Sequence, residues 1–450
     1  MRQASCWLVA VAVVLASTAT SSRASAEEIA VAPAASLQAA IDKAPPGATL
    51  KLAEGKYPEG LYITKPITLL GAGWEKTSIG SDRKVALTQR QKDEFFAALD
   101  AAKTRQERME IAVAMATRET RPTVVANGVR DVTLRGLRFR GSADVNERGE
   151  PVAETMVSFV NASGTISECA IVGPFGNGVA LSAGSEVRIE KSLVAGMWGI
   201  GVSAAKGSKL AVSESDIRNC YHRCITLATN DARIERCRIS GSAWHGVRYD
   251  GVSPTIQHNL IFGNARFGIY AAGGTKAIVH GNVLARNEMS GMICWDAATD
   301  SIEGNTVVDN VGQGIVVNGE AKPTLLKNLI AGSPCGVWCG QATTATQATI
   351  GPGAPVLERN LFWRNAKDLG VMEDGKPLPA GNVVADPKFV AAEKRDYTLA
   401  ADSPARKMGA GVADPITMAS PFPIQPEEKA MIPDSETRDY SKWKKVATAR

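Results

Sequence analysis

The amino-acid sequence predicts an all-β chain that folds as a parallel β-helix, with three strands in each coil of about 22–23 residues. Three observations support this prediction. A short segment recurs at a nearly constant interval, a second apolar segment keeps step with it, and a column of single aliphatic residues precedes it. A fixed short period of this kind is the sequence signature of a repeat architecture.

The first repeated segment begins with a polar or small residue. Between residues 169 and 328 its successive starts are 23, 23, 22, 22, 23, 23 and 23 residues apart. In stacked coils, the asparagines among these starts are expected to hydrogen-bond as a ladder. The starts are Cys169, Ser192, Ser215, Cys237, Asn259, Asn282, Asn305, Asn328 and Asn360.

Two further apolar segments accompany the first one in each period. Three short strands per period therefore follow, because no helical spacing separates them. Stacked Val, Ile and Leu side chains are expected to fill a narrow core between coils roughly 4.8 Å apart. The second segment starts at Gly178, Gly199, Cys224, Gly246, Gly268, Gly291, Gly314 and Gly336, and the aliphatic column contains Ile189, Val212, Ile234, Ile256, Val279, Ile302 and Leu325.

The composition agrees with this fold and excludes several functions. The chain contains 42 Gly but only 10 Phe, 8 Trp and 7 Tyr, which favours many tight turns around small aliphatic side chains. A hydrophobic content of 44% excludes a disordered tail. With 51 Lys and Arg against 46 Asp and Glu, the net charge of +5 is too small to indicate binding to nucleic acid or to an anionic membrane.

The N-terminus predicts export. Arg2, an apolar run over residues 7–16 and the small residues 24–26 form the three parts of a secretory signal peptide, here residues 1–26. The run is too short to span a bilayer, so we expect a secreted or periplasmic mature chain without a membrane span. A retained N-terminal anchor is the alternative.

Seven cysteines remain after residue 26, and an odd number leaves at least one thiol unpaired or paired between chains. The pairs 220/224 and 335/339 have a spacing that could form disulfides. Cys294 and Cys339 fall at core positions of the repeat, where buried free thiols are expected.

The ends of the repeat carry a family resemblance. Residues 36–41, 46–52 and 67–73 look like a capping helix and first coils, and residues 386–405 look like a closing coil. Together with the period, they make the chain similar to the right-handed parallel β-helix repeat proteins of the pectin lyase-like superfamily over roughly residues 36–410. This resemblance implies a carbohydrate ligand. The chain lacks the Asp-Pro-His-Asp motif of alginate epimerases and the Asp clusters of pectate lyases, so no catalytic residue is carried over.

Two segments depart from the repeat within the predicted domain order of signal peptide (1–26), β-helix (27–410) and tail (411–450). Residues 88–118 contain two capping-box patterns, each followed by helically spaced apolar residues, which predicts a helical hairpin. This hairpin either packs on the flank of the solenoid or forms a lid over a substrate groove. The proline-rich residues 411–450 predict an extended tail without a core.

Strand alternation places a polar patch on one face of the helix. Val247 aligns with inward residues of neighbouring coils, so Arg248 and Asp250 point outward, and Tyr270 takes the position of Arg248 one coil later. The candidate catalytic residues of this patch are His245, Arg248, Tyr270, Asp250 and Arg223.

Further residues on the same edge are candidates for substrate binding. Aromatic rings beside cations suit a sugar chain, because rings stack on its C–H faces and cations bind its carboxylates. Turns that stack like residues simply to cover the core are the alternative. The candidates are His222, Trp244, Arg266, Trp198, Tyr221 and Phe267, and the aromatic row is Phe175, Trp198, Tyr221, Trp244 and Phe267, with one ring expected per coil.

Two chemistries fit such a patch. In β-elimination from a uronic acid, or in epimerisation, His245 or Tyr270 removes the proton beside the carboxylate, and arginines neutralise the developing charge. In glycoside hydrolysis, Asp250 pairs with Asp296 or Glu288. Cations outnumber carboxylates here, which favours a lyase or an epimerase acting on an acidic polysaccharide. The competing class is a non-catalytic glycan-binding or accessory β-helix protein of the copper-maturation type.

A second polar column follows another face of the predicted helix, where Glu235, Gln257, His280 and Glu303 share one outward position. A His between carboxylates could bind a metal, although an exposed charge ladder is the commoner arrangement. The cofactor is therefore left open, with calcium as the ion considered.

Overall fold

A computed structural model of the 450-residue chain describes a continuous β solenoid. The described residues are 27–80, 97, 101, 123–140, 155–173, 176–197, 199–340, 342–343, 349–371, 377–415, 417, 419–425 and 428. The predicted signal peptide and the predicted hairpin at 88–118 lie outside them, apart from the isolated residues 97 and 101. Within the described part, no helix is long and apolar enough to cross a membrane.

Three parallel sheets of 13, 12 and 13 strands run the length of the solenoid, which confirms the predicted all-β parallel β-helix. The first sheet contains Glu28–Val31, Thr49–Leu52, Ile67–Leu70, Val132–Arg135, Ser163–Ser167, Glu186–Glu190, Lys209–Ser213, Ala232–Glu235, Thr255–Gln257, Ile278–His280, Ser301–Glu303, Thr324–Leu326 and Val356–Glu358. The second contains Leu61–Ile63, Val124–Asn127, Thr155–Val160, Asn177–Leu181, Ile200–Ala204, Arg223–Leu227, His245–Asp250, Phe267–Ala272, Ser290–Trp295, Gln313–Val317, Cys335–Cys339 and Lys367–Val371. The third contains Gly55–Tyr57, Thr77–Ile79, Arg138–Phe139, Ala170–Val172, Leu193–Ala195, Asp216–Arg218, Arg238–Ser240, Leu260–Phe262, Val283–Ala285, Thr306–Val308, Leu329–Ala331, Leu361–Trp363 and Val383–Val384.

The core consists of the inward residues of all three sheets. Val247 and Ile269 pair in register and are both fully buried, as the strand alternation requires. One polar pair lies among these apolar residues, where the Tyr249 hydroxyl donates a hydrogen bond of 2.8 Å to the Asp300 carboxylate. Burial raises the pKa of Asp300, because the charged form loses its hydration there.

Two asparagine ladders run along the stack, as the repeat predicts. In the longer ladder, each side-chain oxygen accepts hydrogen bonds from both the backbone N–H and the side-chain amide of the preceding asparagine, at 2.8–3.0 Å. Buried polar groups are thereby satisfied at one corner of each coil. The ladders consist of Asn259, Asn282, Asn305, Asn328, Asn360 and Asn382, and of Asn264, Asn287 and Asn310.

The N-terminal end of the solenoid is closed by the predicted capping helix, Leu37–Lys43. Its N-cap Ser36 accepts a hydrogen bond from the Ala39 backbone, and Leu37 and Ile41 are buried against the first coils. A solenoid needs such a cover because an open end exposes unpaired strand edges and apolar core.

The C-terminal region differs from the predicted closing coil. Phe389–Ala391 pairs antiparallel with Asp396–Leu399, and a 3₁₀ turn, Ala392–Lys394, connects them. With the helix Pro404–Met408, this hairpin packs on the outer face of the third sheet rather than continuing the stack. A second antiparallel pair, Ala342–Thr343 with Thr349–Ile350, lies within the long coil between Asn328 and Asn360.

The described part of the proline-rich tail also packs on the third sheet. Phe422 contacts Trp74 with ring centroids 6.2 Å apart, and both rings cover apolar residues such as Leu193. The sequence predicts an extended tail without a core. The described residues have no core of their own, but an apolar outer face of the solenoid receives them. The predicted domain boundaries stay predictions.

All seven cysteines after residue 26 are free and buried in the structure. The predicted core positions of Cys294 and Cys339 are confirmed by their burial. Burial raises the pKa of Cys169 and of Cys237 to about 12, so these thiols stay protonated at neutral pH.

Asn305→Ala should destabilise the protein by about 1–3 kcal/mol, because the buried amides of Asn282 would lose their shared acceptor. Asn230→Ala is the matched control. The exposed Asn230 side chain accepts one hydrogen bond, from the Ser253 backbone, and water can replace it, so a change within about 0.5 kcal/mol is expected. Urea unfolding measures both. Equal effects of the two substitutions would contradict a structural role for the ladder.

Candidate functional site

The candidate site lies on the outer face of the second sheet, on the strands Arg223–Leu227, His245–Asp250 and Phe267–Ala272. Arg223 pairs in register with His245, and Thr226, Arg248 and Tyr270 form the next outward column. Arg248 and Tyr270 are partly exposed, whereas Val247 is fully buried. The predicted faces of these residues are therefore confirmed.

The rings of the site form a continuous chain of contacts rather than a single aromatic column. Centroid distances are 5.6 Å from Tyr221 to His222, 5.9 Å from His222 to Trp244, 6.1 Å from Trp244 to His245 and 5.4 Å from His245 to Phe267. The rings of His222 and His245 therefore lie between successive aromatic rings and contact them on both sides.

The described members of the predicted aromatic row, Tyr221, Trp244 and Phe267, provide one ring per coil as expected, but the length of the coils here keeps them out of a single column. Strand pairing repeats every 22 residues here, since Arg223 aligns with His245 and Val247 with Ile269. Tyr221, Trp244 and Phe267 are 23 residues apart, so each ring lies one position further along its coil. Phe175 and Trp198, the other members of the predicted row, lie outside the described residues.

Three guanidinium groups surround these rings. Arg266 and Arg223 lie over the Trp244 ring at 4.3 and 5.1 Å from its centroid, and Arg248 lies over Tyr270 at 5.4 Å. Such cation–π contacts hold planar cations in place without neutralising them. Arg248 also contacts the Asp250 carboxylate at 3.1 Å. This surface, called the arginine patch below, comprises Arg223, Arg248, Arg266, His245, Trp244 and Tyr270.

His245 lies at the bottom of the arginine patch. It is only 4% exposed and stacks on Tyr270 with ring centroids 4.9 Å apart. Its Nδ1 atom is buried without a hydrogen-bond partner among the described residues. Burial, reinforced by the charges of the three arginines, lowers the pKa of His245 to about 3. The imidazole is therefore neutral at physiological pH.

The neighbouring titratable rings respond to the same environment. Burial raises the pKa of the Tyr270 hydroxyl, and the Arg248 cation opposes this effect. Burial and the Arg223 charge lower the pKa of His222. Tyr270 is therefore a neutral phenol at neutral pH, and it is more exposed than the His245 ring beneath it.

The carboxylates considered for hydrolysis do not converge in the patch. Asp250 ends its strand, whereas Glu288 precedes the start of the strand Ser290–Trp295 two coils later. Asp296 follows Trp295, which aligns with Asp250 through Ala272. Two strand spacings of about 4.8 Å therefore separate Asp250 from the position beside Asp296. Of the three carboxylates, Asp250 contacts Arg248 of the arginine patch.

Strand register adds two polar residues that the sequence reading missed. The column of His245 and Phe267 continues through Ser290 and Gln313, whose side chains are joined by a hydrogen bond of 3.0 Å. Ser290 and Gln313 precede Met292 and Ile315 by two residues, and Met292 and Ile315 share the inward column of Val247. This spacing is the sequence signal that could have identified the two polar residues.

The second polar column lies in register on the first sheet as predicted. Gln257 donates a hydrogen bond of 3.0 Å to Glu235, and Arg233 helps to lower the pKa of this carboxylate against the effect of its burial. Across the described part of the chain, no group of three or more His, Cys, Asp or Glu side chains could hold a metal ion. Calcium stays a prediction.

Comparisons with known proteins define the class. The sequence model of the family described as "Right handed beta helix region" matches residues 123–284 and 252–350, which together span more than half of the chain. The chain therefore belongs to this right-handed β-helix family, as its resemblance to the pectin lyase-like superfamily implied. No curated protein sequence matched the chain.

Similar solved structures share the fold. The periplasmic alginate epimerase AlgG aligns with a TM-score of 0.51 at 14% identity, over 79% of this chain and 83% of that chain. A double mutant of the same epimerase gives 0.50 at 14% identity, over 79% and 82%. A mannuronic acid specific polysaccharide family 6 lyase from human gut microbiota gives 0.49 at 12%, over 88% and 92%.

The environment of His245 gives a pH dependence of stability. The folded state resists protonation of His245 down to about pH 3, whereas an unfolded histidine binds a proton near pH 6.5. The free energy of unfolding should therefore fall as the pH drops from about 6.5 towards 3, by up to about 1.4 kcal/mol per pH unit. Urea unfolding of His245→Gln should show a shallower pH dependence. His280→Gln on the first sheet is the control, and an identical slope in both variants would contradict this assignment.

Proposed function

We propose that the arginine patch binds an acidic polysaccharide and that the protein acts on its uronate residues as a lyase or an epimerase. The observation that carries the proposal is the cluster of cations on one outward face. Three arginines converge on the rings of Trp244 and Tyr270, and Arg248 also pairs with Asp250. Guanidinium groups placed together in this way can bind a sugar carboxylate through paired hydrogen bonds.

The same cations suit the chemistry. Removing the proton beside a uronate carboxylate builds negative charge on that carboxylate, and fixed guanidinium groups stabilise this charge. In a lyase the glycosidic oxygen then leaves, and in an epimerase the carbon regains a proton from the opposite side. The neighbouring rings offer faces on which a sugar can stack. The fold shared with an alginate epimerase agrees with this proposal.

Tyr270 is the proposed proton-transfer residue, and His245 is the proposed positioning residue. The Tyr270 side chain is partly exposed beside Arg248, whereas His245 is buried beneath it. A base must come within hydrogen-bond reach of the proton that it removes, which favours the more exposed group. Neutral His245 supports the Tyr270 ring by stacking without adding a fourth positive charge to the patch.

The proposed function also includes export of the protein from the cytoplasm. A polysaccharide substrate lies outside the cytoplasm, and the sequence of residues 1–26 predicts a secretory signal. We therefore propose that the protein works in the periplasm or outside the cell. A binding-only β-helix protein is the second candidate, and the burial of His245 favours it because this ring cannot reach a ligand directly.

Incubation with a panel of uronate polymers in D₂O tests the proposal. Both lyase and epimerase reactions abstract the proton beside the carboxylate, so NMR should detect deuterium at that carbon or an unsaturated product. Arg248→Ala should reduce turnover by about a hundredfold, because charge stabilisation in the transition state is lost. Arg188→Ala, which replaces an exposed residue of the first sheet, should leave turnover unchanged. Polymer binding without either product would support the binding-only alternative. The absence of both binding and turnover would overturn the enzyme proposal and the binding-only alternative.

The pH dependence of turnover separates the two candidate bases. If Tyr270 takes the proton, kcat/KM should rise with pH through the neutral and alkaline range, because burial raises the pKa of Tyr270 above its ordinary value and the phenolate fraction grows with pH. If His245 takes the proton, kcat/KM should be flat above about pH 5, because its pKa is about 3. Tyr270→Phe should abolish the alkaline rise, and retention of that rise would contradict the assignment to Tyr270.

A further inference from the structure

A C-terminal strap crosses the third sheet on the side of the turns that lead into the arginine patch. We use this name for residues 417, 419–425 and 428. The Thr417 carbonyl accepts a hydrogen bond of 3.2 Å from Arg238, and Gln425 accepts one of 2.8 Å from Arg138. Arg238 and Arg138 lie on strands that are separated by three others in the sheet order. The strap therefore runs back towards the N-terminal end.

The strap is anchored by a buried cluster of charges. Arg218, 4% exposed at its side chain, donates through Nε and Nη2 to the two oxygens of Glu428, both at 2.8 Å. Its Nη1 donates to Asp216 at 2.7 Å, and Ser420 of the strap also donates to Asp216. Two-pronged pairing of this kind fixes both position and orientation. The Glu428 side chain is 1% exposed, so water does not replace its partners.

The same carboxylate holds a turn of the solenoid. The Asn219 side chain donates a hydrogen bond of 2.9 Å to Glu428. Asn219 has a left-handed backbone, with φ of 55°, and begins the turn of residues 219–222 between the third and second sheets. This turn carries Tyr221 and His222 and leads directly into Arg223, the first strand residue of the arginine patch.

Hydrogen bonds also connect the turn of residues 219–222 to Trp244. Ser242 of the next coil donates a hydrogen bond of 2.9 Å to the His222 carbonyl, and the Trp244 backbone N–H donates to the Ser242 hydroxyl at 3.0 Å. A continuous set of hydrogen bonds and one short turn therefore joins Glu428 to the tryptophan between Arg223 and Arg266.

We infer that Glu428 is a positioning residue for the arginine patch, which it acts on through Asn219 and the turn of residues 219–222. The effect on the ligand rests on the proposed function, whereas the effect on the turn does not. Release of the strap is expected to loosen Tyr221, His222 and Trp244 and to weaken ligand binding, while the stacked core of the coils keeps its structure.

Glu428→Gln in the full-length protein tests this inference. Its side chain keeps the size of glutamate but loses the charge that Arg218 binds. Hydrogen exchange of the amides at 219–223 should become about tenfold faster, while exchange at 301–308 stays unchanged. On the polymer that the wild type converts, KM should rise about fivefold with kcat little altered, because orientation of the binding residues is lost. Glu393→Gln, at an exposed site of the same C-terminal region, is the control.

A second pair of variants isolates the contact with the turn. Asn219→Gly keeps the left-handed backbone and the Arg218–Glu428 pair but removes the hydrogen bond to the strap. Arg286→Gly is matched to it, because Arg286 has a left-handed backbone at the equivalent corner three coils later, away from the strap. Faster exchange of the following turn in Asn219→Gly than in Arg286→Gly supports the inference.

The outcomes separate this inference from the proposed function. Faster exchange at 219–223 in Glu428→Gln without turnover by the wild type would keep the positioning role and reject the enzyme. Turnover by the wild type with unchanged exchange and KM in Glu428→Gln would reject the positioning role. Equal acceleration at 219–223 and 301–308 would also reject it, because it would mean that the whole solenoid had been destabilised.

Discussion

The structure depends on parallel backbone pairing between coils in strict register. Within the three long sheets, each interior strand hydrogen-bonds to the equivalent strands of the neighbouring coils, so its positions become columns along the solenoid. Inward columns build the core, corner columns hold the asparagine ladders, and outward columns form the surface. The arginine patch exists because register brings Arg223 beside His245 and Arg248 beside Tyr270. A shift of one residue would send these side chains into the core.

The electrostatics of the patch explain the state of its histidine. Three guanidinium groups are held near one another by contacts with Trp244 and Tyr270, and Arg248 also pairs with the Asp250 carboxylate. A protonated imidazole among them would add a fourth cation in a site from which water is largely excluded. His245 avoids that cost by remaining neutral, which leaves the positive charge to the arginines on the outer face, where a ligand can reach them.

The sequence predicts the fold well because a period of about 22–23 residues leaves few alternatives to stacked coils. Alternation also assigns Val247 and Arg248 to the correct faces. The burial of His245 could not be predicted, because the side chains that cover it, Phe267 and Tyr270, belong to another coil. Successive aromatic rings are offset by one position because the coils here repeat every 22 residues whereas the rings are 23 residues apart. Arg218 and Glu428 are 210 residues apart without any repeated pattern, so their contact has no sequence signal.

The position of the strap at the C-terminus has a consequence for the order in which the protein matures. Arg138 and its partner Gln425 are 287 residues apart, and a ribosome adds about 5–20 residues per second. Synthesis of Gln425 therefore follows that of Arg138 by roughly 15–60 s. In any coil that forms before the strap is in place, Trp74 and the apolar strip around Leu193 lack the cover that Phe422 provides. Closure of this strip therefore requires a chain that extends at least to residue 422.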